Sequence, residues 1–165
     1  MLTKEMQKIK RDELGIVQRH LKELPVKLGA LASDLGVRVT LSSLPTGISG
    51  QIKREGVGYE IKINRHESRE RQRFTLAHEL SHFLLHREVI DSMTDGLQDN
   101  VLYRSGAPNV IEYEANRLAA ELVMPKDLVD EQVRQYQDML SEEAIEDLAR
   151  RFGVSKAAME IRVAA

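Results

Sequence analysis

Residues His78-Glu79-Leu80-Ser81-His82 place two imidazoles four positions apart with a carboxylate beside the first. On a helix, such positions differ by about 40° in direction and about 6 Å along the axis, so both rings project toward one ion. Glu79, turned about 100° from His78, is badly placed to join both histidines as a ligand. It is well placed to take a proton from water beside that ion. The chemistry on offer is activation of water by a divalent cation, with a carboxylate as base. With 5 His and 17 Glu in the chain, the pattern arises by accident in about 1 to 2% of shuffled sequences, before the helical context is imposed.

Two histidines need a third ligand, because a catalytic zinc keeps three protein ligands and one open position. The chain has no cysteine, so that ligand must be nitrogen or oxygen. His86 lies about 12 Å along the axis from His78 on an unbroken helix, too far to share the ion. It reads as a neighbour of the site, or as a residue that complements the dipole at the helix C-terminus. The segment from Ile111 to Pro125 is the better source: Ile111, Ala115, Leu118, Ala119 and Leu122 mark an inward face, and a carboxylate at its border can reach across. Glu112 is selected on that ground. Asn116, one turn on, can hydrogen-bond a ligating histidine or the carboxylate and fix its orientation. Glu114 lies about 200° around the helix from Glu112, so it and Glu121 are expected in solvent.

The elements that must position these residues are legible as periodicities. Phe74, Ala77, Leu80, Leu84 and Leu85 form an apolar stripe over about 68–86, without Pro or Gly, which predicts a buried helix carrying the His-Glu-x-x-His pattern. A second helix is predicted over about 110–124, stopped by Pro125. Upstream, Val37, Val39 and Leu41 alternate with polar residues, as do Val57, Tyr59, Ile61 and Ile63, and 48–53 offers a third strand. A small antiparallel three-stranded sheet follows as the expectation. Its strand over 57–63 is the expected free edge for an extended peptide, and 54–56 closes a hairpin. An N-terminal helix is expected from Leu14 through Leu24, ending at Pro25. A short one over 28–35 is closed by Gly36, and an irregular stretch covers 91–110. Further helices are expected over 126–139, over 142–151 capped by Ser141, and after Ser155. The last two, with Gly153 between them, have the layout of a helix-turn-helix. The expected organisation is an N-terminal helix (1–25), a core (26–140) and C-terminal helices (141–165) packed on it.

At 165 residues, 42% hydrophobic and 30% charged, the chain is expected to form one compact α+β domain rather than a large multidomain enzyme. No apolar run approaches the roughly 18 residues of a membrane span, and 1–11 lacks a signal-peptide core. A cytoplasmic location without a membrane partner is the expectation. The net charge of −2 gives no basic footprint for nucleic acid. The first 65 residues carry 12 basic and 7 acidic side chains and the remainder 12 and 19, an imbalance that charges scattered over solvated faces explain. In the C-terminal pair, Arg150, Arg151, Lys156 and Arg162 are offset by Glu146, Asp147 and Glu160, so direct DNA contact is not expected.

From about Pro25 to Ala165 the sequence resembles the ImmA/IrrE metallo-endopeptidases of bacteria, phages and mobile elements. The resemblance rests on Tyr59 to Asn64, on Arg73-Phe74-Thr75-Leu76-Ala77-His78-Glu79-Leu80-Ser81-His82, and on Glu112 to Pro125. It implies a zincin-like fold, zinc held by His78, His82 and Glu112, and Glu79 as catalytic acid/base. It also implies an XRE-type helix-turn-helix repressor as substrate, cleaved to relieve repression in a stress or mobile-element response. Members with a longer C-terminal sensor-like domain exist, and 165 residues are expected to leave no room for one. Tyr103, Arg104, Tyr113 and His86 are the candidates for an additional oxyanion donor. The competing readings are a non-catalytic metal-containing partner of a repressor or antitoxin, and a DNA-binding module acting through the C-terminal helices.

Overall fold

A computed structural model of the chain describes residues 2–100, 109–137 and 139–165. Among these, a 3-10 turn at Met6–Lys8 precedes α1 (Arg11–His20), α2 (Leu28–Asp34), β1 (Val37–Ser42), β2 (Ile48–Glu55) and β3 (Gly58–Asn64). There follow α3 (Arg69–Leu85), α4 (Arg87–Ser92), β4 (Leu97–Asn100), α5 (Asn109–Val123), α6 (Lys126–Arg134), α7 (Glu142–Phe152) and α8 (Lys156–Ala164). None of the described helices is long and apolar enough to cross a membrane.

The architecture is α+β, but the sheet is neither three-stranded nor wholly antiparallel. Among the described residues it has four strands in the order β1-β3-β2-β4. β2 and β3 form the expected antiparallel hairpin, with Ile52 opposite Ile61. β3 then returns beside β1 and pairs with it in parallel, from Val37 opposite Tyr59 to Ser42 opposite Asn64. Alternation of apolar residues shows that a segment is extended. It does not choose the neighbour, which is set by how the connections pack. β4 pairs antiparallel with β2; its sequence, Leu-Gln-Asp-Asn, carries no alternation and falls within the stretch expected to be irregular. β3 is therefore an interior strand, not the expected free edge. Among the described residues the edges are β1 and β4.

One face of the sheet receives α3, and α5 lies against α3. Ile52, Ile61 and Ile63 from the sheet are buried in one cluster with Ala77, Leu80 and Leu84 of α3 and Leu118 and Leu122 of α5. Close approach of sheet and helix depends on Gly50 of β2, where a Cβ would come within 2.4 Å of Thr75 Cγ2 on α3. Ser68 caps α3, accepting a hydrogen bond from the Arg71 N–H. The α3 residues from Ala77 to Leu84 are all buried, so its middle is enclosed, not merely striped on one face.

The termini close over this core. α1 ends at His20, short of the expected stop at Pro25. α6 likewise stops at Arg134, short of 139. Ser141 and Ser155 cap α7 and α8, and Gly153 between them takes a left-handed conformation at φ 71° that a residue without Cβ adopts without penalty. Leu148, Phe152 and Met159 join the common core. Arg73 of α3 donates from Nη2 to the carbonyls of Val26 (3.0 Å) and Phe152 (3.4 Å), tying α3 to both ends of the chain.

Candidate metal centre

α3 brings His78, Glu79 and His82, and α5 brings Glu112 and Asn116, to their shared interface. All of the first four are buried: 2% exposure for His78, 0% for Glu79, 1% for His82 and 8% for Glu112. The Nε2 atoms of His78 and His82 are 3.2 Å apart. Glu112 faces both rings, with Oε2 3.1 Å from His78 Nε2 and Oε1 3.2 Å from His82 Nε2. The donor atoms of His78, Glu79 and His82 also lie within 4.8 Å of one another. Glu79 nevertheless stands off, its Oε1 4.0 Å from His78 Nε2, whereas Glu112 closes the triangle.

The outward nitrogens have their own partners. Asn116 Oδ1 lies 2.9 Å from His78 Nδ1. Because an amide oxygen only accepts, Nδ1 carries the proton and Nε2 presents its lone pair to the centre. His82 Nδ1 lies 2.9 Å from His86 Nδ1, and His86 Nε2 lies 3.0 Å from Glu114 Oε1.

This donor set fits a divalent cation. Two imidazole nitrogens and a carboxylate, all lone-pair donors, converge at 3.1 to 3.2 Å. Ligands about 2.0–2.1 Å from a tetrahedral ion lie about 3.3–3.4 Å from one another. Burial raises the pKa of the Glu112 carboxyl but is outweighed by the two imidazoles that face it, His78 and His82, which hold it well below the usual carboxylate range. Burial also pushes the His82 imidazole down, against the opposing pull of Glu112. A carboxylate and an unprotonated imidazole are the forms in which these residues bind a metal.

Two acids expected in solvent are not there. Glu114 has 17% side-chain exposure and joins His86 and Lys8, while Glu121 has 13% and pairs with Arg162. Position around α5 separates Glu114 from Glu112, but His86, immediately after the end of α3, meets Glu114. The four-residue step from His82 to His86 was the available sign of this. Of the oxyanion candidates, Tyr113 is 61% exposed and accepts a hydrogen bond from Arg117 Nη1, both ring nitrogens of His86 are engaged, and Tyr103 and Arg104 lie outside the described residues. A cavity of about 850 Å³ lies elsewhere, between Ser68, Arg71 and Phe74 and the α7–α8 turn.

The basic residues of the C-terminal helix pair are largely matched by acids. Lys156 lies within 3.5 to 3.8 Å of Glu142, Glu146 and Glu160, and Arg150 is 3.5 Å from Asp147. Arg162 turns inward, donating from Nε to the Met124 carbonyl at 2.9 Å.

Comparison with known proteins relates the chain to a family model and to a metalloprotease. Residues 32–164 match the Peptidase M78 family model, described as the IrrE N-terminal-like domain. The chain is similar to the "Radiation response metalloprotease IrrE" of Deinococcus deserti, with 37% identity over 123 residues, covering 71% of this chain and 40% of the relative. It thus spans about two fifths of that relative's length.

Proposed function

The chain belongs to the ImmA/IrrE family, and on that premise we propose that it is a zinc-dependent endopeptidase that cleaves an XRE-type helix-turn-helix repressor in a stress or mobile-element response. The observation that carries the reading is the convergence of His78 Nε2, His82 Nε2 and Glu112 at 3.1 to 3.2 Å, with the buried Glu79 beside them. His78, His82 and Glu112 hold the ion. An all-nitrogen-and-oxygen set of two imidazoles and one carboxylate suits zinc.

A divalent cation bound there supplies Lewis-acid polarisation of the scissile carbonyl and makes water more acidic. Glu79 accepts the proton of the attacking water at a carboxylate oxygen. As the C–N bond breaks, it returns that proton to the leaving amine nitrogen. Its complete burial keeps bulk water from competing for that proton and strengthens its field at the reacting centre. Asn116 holds His78 in the tautomer that offers Nε2. A base beside the ligands favours catalysis over a purely structural metal partner, because a structural site has no use for one. The acid-matched basic residues of α7 and α8 favour a protein substrate over DNA.

The test incubates the purified chain, with and without chelator, with XRE-type repressors from the same organism, and searches for cleavage by mass spectrometry. One bond broken only in the metal-containing sample is expected. An intact repressor in both samples contradicts the substrate assignment.

A further inference from the structure

Beyond the ligand set, the centre has a second tier of partners that extends to the N-terminal segment. We propose that His86 and Glu114 are positioning residues: a hydrogen-bonded relay, Glu114–His86–His82, that locks His82 in the tautomer and ring orientation presenting Nε2 to the cation, with Lys8 anchoring the far end. The inference rests on the metal-site reading above and assigns the support of one of its ligands.

Protons along the relay can be placed from the acceptor end. A carboxylate only accepts, so Glu114 Oε1, 3.0 Å from His86 Nε2, requires the proton of a neutral His86 on Nε2. Its Nδ1 then has only a lone pair. The atom 2.9 Å from that lone pair is His82 Nδ1, which must be the donor. With its proton on Nδ1, His82 directs the Nε2 lone pair at the point that His78 Nε2 and Glu112 also face. His86 is 8% exposed and its ring lies 5.1 Å from that of His82, so the two imidazoles pack together out of solvent.

The carboxylate end is also fixed. Glu114 forms an ion pair with Lys8, which belongs to the 3-10 turn Met6–Lys8. Met6 of that turn is buried, and the neighbouring Glu5 accepts a hydrogen bond from Arg117 of α5. The N-terminal segment is thus docked on the helix that supplies Glu112, Glu114 and Asn116. His78 is held from α5 by Asn116. The relay gives His82 an equivalent partner on the same helix, through one more imidazole. Partners of this kind, when removed from metal sites, lower metal affinity about 10- to 100-fold.

The experiment uses the full chain loaded with one equivalent of zinc, with affinity read by competition against a chromophoric chelator and folding checked by circular dichroism. His86→Leu and Glu114→Leu should each bind zinc about 10- to 100-fold more weakly. Glu114→Gln, whose amide oxygen still accepts from His86, should recover most of the loss, and His86→Gln, able to accept from His82 Nδ1, part of it. In the zinc-loaded wild type, imidazole ¹H–¹⁵N spectra should show a slowly exchanging Nδ1 proton on His82; this readout needs no variant to fold. Folded leucine variants with wild-type affinity, or a His82 ring bound through Nδ1, would overturn the relay. Loss of zinc in His82→Ala alongside unchanged His86→Leu leaves the metal site standing and removes only the relay. A wild-type chain that takes up no divalent cation removes both.

Discussion

Asn116 of α5 meets His78 of α3 through a single hydrogen bond, Oδ1 to Nδ1 at 2.9 Å, so the helix that carries Glu112 also orients the histidine opposite it. Replacing Asn116 by Leu should weaken zinc binding about 10- to 100-fold and cost about 1–3 kcal/mol of stability, because a buried polar partner is left unmatched. Asn116→Asp keeps an acceptor at that point and should retain most of the affinity. Chelator competition and urea unfolding of the two variants measure both effects; equal affinity of the Leu variant and wild type would contradict the role given to Asn116.

Glu79→Gln should keep the metal and lose turnover. The side chain is fully buried and the amide is close to it in size, so the fold is retained. The loss of proton transfer should lower the cleavage rate by about 10²- to 10⁴-fold. Zinc content and the repressor-cleavage assay, run on the same preparation, separate the two properties. A Gln variant that cleaves at the wild-type rate takes Glu79 out of the mechanism.

Gly50→Ala should destabilise the sheet against α3. The new Cβ would fall 2.4 Å from Thr75 Cγ2 and 3.1 Å from the Lys62 carbonyl, an overpacking worth about 1–3 kcal/mol. Thr75→Ala in the same chain removes the methyl group and should restore part of that loss, a coupling that thermal melts of the single and double variants can measure. Additive effects would mean that the two residues do not share the contact.

Stability of the chelator-treated protein should fall with acid. The folded His82 pKa is below its ordinary value of 6.5, from burial first. The unfolded chain therefore binds the extra proton, and this contribution is present above about pH 6.5 and is lost as pH drops toward the folded value. Glu112, lowered by the facing imidazoles of His78 and His82 despite burial, acts with the same sign at lower pH: present above its ordinary value of about 4.5, lost below. The urea midpoint of the metal-free chain should decline from pH 7 to 5 and continue to fall toward 4. A midpoint that rises over this interval would contradict both shifts.

The parts of this molecule that were legible in its sequence are those governed by local rules. The helix around His78 and His82 announces itself by a 3.6-residue stripe, and the caps at Ser141 and Ser155 by residue type. The border of the inward face of α5 points to Glu112 by the same periodicity, and its carboxylate lies 3.1 and 3.2 Å from the two histidines. What failed depended on contacts between distant segments. Val37–Ser42 pairs in parallel with Gly58–Asn64, a choice that alternation leaves open. Leu97–Asn100 becomes a strand because β2 has a free side, not because its residues favour one. The angle of Glu114 on α5 alone points it to solvent. The Lys8 and His86 that cover it come from an N-terminal turn and the junction of α3 and α4.

The central claim is that His78, His82 and Glu112 bind one divalent cation together. Anomalous diffraction at the zinc edge, from crystals of the zinc-loaded chain, measures this most directly. A single peak about 2.0–2.2 Å from His78 Nε2, His82 Nε2 and a Glu112 oxygen, with a fourth position not taken by protein, is the expected result. A zinc peak elsewhere on the chain, or a cluster with no peak among these three side chains at full zinc loading, would contradict it.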